Sequence, residues 1–173
     1  MSLFDAILPP LNPRQVDWAG KTVWIVGASS GIGEATAAAL HAQGARVVVS
    51  ARKVQSLNAF VKKHPGSQAL ALDATQPQAV HAAAQQLLAQ GPLDCVVYCA
   101  GHYTAMRADA LDVADMVRHC EVNYIGALYV LDAVLPALLA QGSGSEVFYL
   151  THRGAEEPTL LLVEADHSEL VKD

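Results

Sequence analysis

The segment Thr22-Val23-Trp24-Ile25-Val26-Gly27-Ala28-Ser29-Ser30-Gly31-Ile32-Gly33-Glu34 constrains this chain more than any other. An apolar run leads straight into a glycine-rich turn, and the turn opens a helical pattern through Leu40. A strand, a Gly turn and a helix in that order make an anion site. The glycines admit a pyrophosphate close to the backbone, and the helix start offers free N–H groups and the positive end of its dipole. The spacing is Gly-x-x-x-Gly-x-Gly rather than Gly-x-Gly-x-x-Gly. Because a strand precedes it and a helix follows, it predicts a dinucleotide-binding loop made of Gly27, Ser29, Ser30, Gly31, Ile32 and Gly33.

Downstream, Gly44-Ala45 closes the first helix, and Arg46–Ser50, with three valines in a row, reads as a buried strand. A fold that prefers NAD carries an acid about 20 residues past the Gly turn, where it bonds the ribose hydroxyls. Ala51 stands there in this chain, followed by the cations Arg52 and Lys53. A basic pair suits a 2′-phosphate, so the expected cofactor is NADP(H).

The 173 residues fit one domain, and a 52% hydrophobic content with only 6% aromatics suits an Ala/Val/Leu-rich α/β core. The net charge of −6 argues against nucleic acid as a partner. Cys95, Cys99 and Cys120 form no Cys-x-x-Cys pair, which predicts reduced thiols and a cytoplasmic location. The seven histidines are scattered, and no metal site is expected. The Leu3–Leu8 run is too short and acid-flanked for a signal peptide, and no membrane-spanning segment is expected. With Pro9, Pro10 and Pro13, residues 1–17 read as an extended N-terminal arm.

Strands and helices then alternate. Val54–Lys63 and Pro77–Ala89 read as helices, Ala69–Leu72 and Leu93–Tyr98 as strands, Leu111 to Ala140 as a long helix, and Glu146–Leu150 as a fifth strand. Repeated βα units predict an α/β fold: a Rossmann-like doubly wound parallel sheet of five strands over residues 18–150, with an atypical C-terminal tail over 151–173.

Gly27-Ala28-Ser29-Ser30-Gly31-Ile32-Gly33, Asp73-Ala74, Ala100-Gly101 after a strand, and Val122-Asn123 inside a long helix occur in this order. In this the chain resembles the classical short-chain dehydrogenase/reductases from about Trp18 to Leu150. The resemblance implies that Asp73 and Ala74 contact the adenine, that Ala100 and Gly101 line the ribose near the nicotinamide, and that Asn123 holds a structural water in a proton relay. Tyr98-Cys99 replaces the asparagines often found before Ala-Gly in that family. Each assignment has a simpler counterpart: Asp73 as a turn cap, Ala100-Gly101 as an ordinary strand end, Asn123 as a core amide bonding backbone. His102 and Tyr103, just past that Gly, are expected to face the substrate side without a catalytic role.

The family implies an oxidoreductase acting on a small carbonyl or secondary alcohol, with a Tyr as proton donor and a Lys one helical turn later. In this sequence His152 stands where the family's Ser is expected, Tyr149 is the last tyrosine, and Lys172 is the only later lysine. The catalytic pair is therefore expected to be missing, with Asn123 alone retained. This keeps two readings open: an NADP(H)-dependent oxidoreductase, or a non-catalytic NADP(H)-binding module or inactive fragment. The long helix carries an apolar stripe (Val113, Met116, Val117, Cys120, Tyr124, Leu128) that predicts a homo-oligomer.

The acid-rich tail contains one strand pattern, Thr159–Val163, only eight residues (Thr151 to Pro158) after the fifth strand. A parallel crossover needs about 10–12 residues. The tail strand is therefore expected to fold back antiparallel on the open edge.

Overall fold

A computed structural model describes residues 17–142, 145–150 and 159–164. The N-terminal arm up to residue 16, and the tail apart from its strand, lie outside the described residues. Six strands form one sheet: β1 (Thr22–Val26), β2 (Arg46–Ala51), β3 (Gln68–Ala71), β4 (Cys95–Tyr98), β5 (Ser145–Leu150) and β6 (Thr159–Glu164), in spatial order β3-β2-β1-β4-β5-β6. Four parallel pairings join the first five strands, and β6 runs antiparallel to β5 with Leu150 opposite Thr159. Both the parallel sheet and the fold-back follow the sequence expectation, the second because the connection is too short to carry the chain back to the same end of the sheet.

Side chains alternate across each strand and so build two cores. On one face Val23, Ile25, Val47, Val49, Cys95 and Val97 pack with Ala37 and Leu40 of α1 (Gly31–Ala42) and Leu57 and Phe60 of α2 (Val54–Lys63). On the other face Trp24, Val26, Val48, Val96 and Tyr98 pack with Val80, Ala84 and Leu87 of α3 (Pro77–Leu88) and with Val130, Val134 and Leu138 of a long helix. Covering both faces is what lets these strands be apolar throughout. Among the described residues, Ser50 is a fully buried polar residue, and its Oγ accepts the Trp24 indole N–H at 2.8 Å.

The long helix differs from its simple pattern. It comprises α4 (Val113–Cys120), a π-helical turn (Glu121–Ile125) and α5 (Gly126–Gln141), with Pro136 inside α5. An 18-residue window within Val113–Gln141 has a mean hydropathy of 1.7, so by length and composition alone this helix is long and apolar enough to cross a membrane, as the core helix of a soluble protein can also be. That apolarity has a local use, since the inner stripe of α5 is packed on the sheet.

Two amide side chains from this helix grip the backbone at either end of β4. Gln141 Nε2 donates to the Leu93 carbonyl at 3.1 Å, while its Oε1 accepts the Leu93 N–H at 3.3 Å. Asn123 does the same to His102, as described next.

Candidate functional site

The chain turns outward in opposite directions from β1 and β4, neighbours in the sheet whose following helices cover opposite faces. At such a switch point the carboxyl ends of the strands leave a crevice. A cleft of about 240 Å³ lies there.

The Gly turn forms its floor. Gly27 has φ +92°, and a Cβ on it would lie 2.2 Å from the Ala100 nitrogen, so β1 and β4 approach more closely than any side chain allows. Gly33 packs under the turn, where a Cβ would meet the Gly27 oxygen at 2.3 Å. Gly31, at φ +63°, has open space around it. The Gly27 and Ala28 N–H groups are bound to the Ser50 carbonyl at 2.7 and 3.1 Å, which anchors the turn to β2. Ser30 stands at the N-cap of α1, yet its side chain makes no capping bond. The first-turn N–H groups of α1 are thus left to an incoming anion. Ile32, in that first turn, is 51% exposed.

The sequence-derived residues converge. Gly27, Ser29, Ser30, Arg52, Lys53, Asp73, Ala74, Ala100 and Gly101 all line the cleft. Gly31, Ile32 and Gly33 form the helix start beside it. Thr75, Cys99 and Val122 also line it, although the sequence reading gave none of them a cofactor-binding role. Thr75 had a readable signal, being two residues after Asp73 as in an Asx turn. Asp73 Oδ1 accepts both the Thr75 N–H (3.0 Å) and its hydroxyl (2.8 Å), so Asp73 caps this turn while facing the cleft. Burial pushes the Cys99 thiol up to about 11, which keeps it neutral.

Asn123 stands behind Gly101 in the π turn. Its Oδ1 accepts the His102 N–H at 2.6 Å and its Nδ2 donates to the His102 carbonyl at 2.9 Å. The amide is thereby spent on the loop after β4, fixing the path of Gly101 along the cleft. Tyr98 supports the π turn from below: its hydroxyl donates to the Val122 carbonyl, and burial first, then the nearby Asp73 charge, holds it well above the usual phenol range. Gly126 makes room for that hydroxyl, because a Cβ there would come 2.4 Å from it. Tyr98 at the family's Asn position is therefore a bracing residue of a different kind.

Replacing Asn123 with alanine removes both bonds to His102 and leaves two backbone groups unmatched. A cost of about 1–3 kcal/mol is expected, with faster amide exchange confined to the loop after Gly101. Unchanged exchange at His102 would contradict this account of the clamp.

The structure also gathers three residues that the sequence reading kept apart. His102 Nε2 lies 2.7 Å from Asp115 Oδ1, and His119 Nδ1 lies 3.3 Å from Asp115 Oδ2. The i,i+4 spacing of Asp115 and His119 was the visible signal; the third member comes from a loop that only the fold brings alongside.

Known proteins agree with this architecture. A family model described as short chain dehydrogenase matches residues 21–159. An uncharacterized oxidoreductase of Staphylococcus haemolyticus is 36% identical over 131 residues, covering 74% of this chain and 57% of that protein. The 3-ketodihydrosphingosine reductase of Bos taurus is 28% identical, covering 88% of this chain and 49% of its own length. Glycine betaine reductase of Emericella nidulans is 34% identical over 80% of this chain and 12% of that protein. The chain thus spans little more than half, or less, of these relatives. A solved short-chain type dehydrogenase/reductase from Mycobacterium ulcerans superposes with a TM-score of 0.72 at 27% identity, covering 77% of this chain and 52% of that one. A Gly turn at the switch point, a cleft continued by Asp73, Ala100 and Gly101, and a match across 21–159 lead to one assignment: the chain belongs to the short-chain dehydrogenase family.

Proposed function

We propose that residues 18–150 form an NADP(H)-binding domain of an oxidoreductase acting on a small carbonyl or secondary alcohol. The observation that carries the cofactor choice is the wall of the cleft: Arg52 and Lys53 line it directly after β2, and Ala51 offers no acid to a free ribose. When bound, the nicotinamide supplies the hydride chemistry. The chain's own part is to seat the pyrophosphate on the start of α1, hold the 2′-phosphate at Arg52, and fix Gly101 beside the nicotinamide ribose through the Asn123 clamp. Titration of the purified chain with NADPH and NADH tests this, with tighter NADPH binding expected.

A second reading is supported by the sequence after β5, where no Tyr is followed by a Lys one helical turn later. On that reading this chain by itself binds the cofactor without turnover. No NADPH oxidation is then expected on a panel of carbonyl compounds. Oxidation that disappears in Tyr149→Phe or Tyr103→Phe would identify a donor and restore the enzymatic reading.

The partner in assembly is a second copy of the chain. Val113, Val117 and Tyr124 are 68%, 52% and 59% exposed along one stretch of helix, with Met116 and Leu128 beside them at 46% and 41%. Apolar surface of this kind favours association. Light scattering should give more than the 18.3 kDa monomer mass. Cys95, Cys99 and Cys120 make no disulfide among the described residues, in keeping with the cytoplasmic location proposed for the chain.

A further inference from the structure

We propose that His102, Asp115 and His119 form a site for a divalent transition-metal ion of the zinc class, which ties the loop after β4 to α4. One donor atom of each residue lies within 4.8 Å of the others. In a tetrahedral zinc site, bonds of about 2.0–2.1 Å put ligand atoms about 3.3 Å apart, so modest side-chain rotation brings all three onto one ion. Two imidazoles and one carboxylate suit zinc, cobalt or nickel and not magnesium or calcium.

An ordinary His–Asp pair would need only one imidazole. Here a second imidazole faces the same carboxylate, with the two rings 4.7 Å apart between centroids. Asp115 Oδ2 is buried and receives no hydrogen bond, while His119 Nδ1 stands 3.3 Å from it. The three residues are each about one-fifth exposed, so an ion has a path in. Backbone anchors surround the group: Asn123 holds His102, and the Asp115 carbonyl accepts from His119 Nδ1–H at 2.8 Å. His119 Nε2 now accepts the Thr104 N–H at 3.0 Å. An ion displaces one of these two His119 bonds, which weakens its binding relative to a site with no such competitor.

None of the three residues lines the nucleotide cleft, so the test is run without cofactor. Calorimetric titration of the full chain with Zn²⁺, and visible absorbance with Co²⁺, should each give one equivalent at micromolar affinity, with a rise in the melting temperature. His102→Ala, His119→Ala and the shape-preserving Asp115→Asn should each weaken binding at least about tenfold. Cys120→Ser should leave it unchanged, since that exposed thiol is the obvious competing ligand nearby. Proton NMR of the wild-type chain needs no variant: of the seven histidines, the signals of two should move on Zn²⁺ addition. Absence of saturable one-to-one binding, retention of binding in both histidine variants, its loss in Cys120→Ser, or movement of other histidines instead would overturn the proposal.

Discussion

Gly27→Ala is expected to destabilise the chain by about 2–5 kcal/mol, a large part of the roughly 5–15 kcal/mol that holds a domain of this size together. Two penalties combine. A residue with a Cβ is strained at φ +92°, a conformation that costs about 1–2 kcal/mol for L side chains. The added methyl also lands 2.2 Å from the Ala100 nitrogen and 2.5 Å from both the Ala100 Cα and the Cys99 carbonyl carbon. These are backbone atoms, so relief requires the ends of β1 and β4 to move apart, and overpacking of this kind costs about 1–3 kcal/mol or more. Gly31→Ala is the control, because Gly31 also has a positive φ but nothing within 4 Å. It should cost only about 1–2 kcal/mol while still obstructing an anion at the start of α1. Urea unfolding of the two variants beside the wild type measures the difference. Equal losses would mean that the Gly27 approach to Ala100 contributes nothing.

The contrast between these two glycines shows what a sequence carries and what it does not. Both were legible as members of one turn, because local order (apolar run, Gly-rich turn, helix) is written in consecutive residues. The same holds for the parallel strands and for β6, whose antiparallel course followed from a connection of eight residues. Long-range contacts were not legible. The collision that reserves Gly27 for glycine comes from Ala100, more than seventy positions away, and the Tyr98–Val122–Gly126 packing depends on a π turn. One extra residue in a helical turn shifts the periodicity too little to break an apolar pattern, so the turn stayed hidden inside a helix read as continuous. Asn123 is the sharpest case. A core amide bonding backbone was one of its two sequence readings, and its pair of hydrogen bonds with the His102 backbone has that form. Which backbone it grips, and that the grip sets the wall of the cleft, needed the fold.

Arg52→Ala is expected to weaken NADPH binding about 10- to 100-fold and to change NADH binding by less than about twofold. A hydrogen bond to a charged group is worth about 1.5–3 kcal/mol, and each 1.4 kcal/mol is tenfold in affinity. Arg52 is exposed and lines the cleft at the end of β2, where its planar fork can take two phosphate oxygens at once. Lys53 beside it is a point charge on a flexible stem, so Lys53→Ala should cost less than Arg52→Ala, and Arg52→Lys should fall between alanine and wild type. The order of the three variants therefore separates a fitted phosphate site from a general basic surface. Salt gives a second check. An exposed pair is screened as ionic strength rises, so the NADPH preference should narrow between about 0.01 and 1 M salt as the screening length falls from about 30 to 3 Å. NADH, which lacks the 2′-phosphate, should follow that change far less. A wild-type chain that binds the two cofactors equally, or an Arg52→Ala variant that loses both in proportion, would remove Arg52 from the 2′-phosphate and return Arg52-Lys53 to an ordinary solvated pair at a strand end.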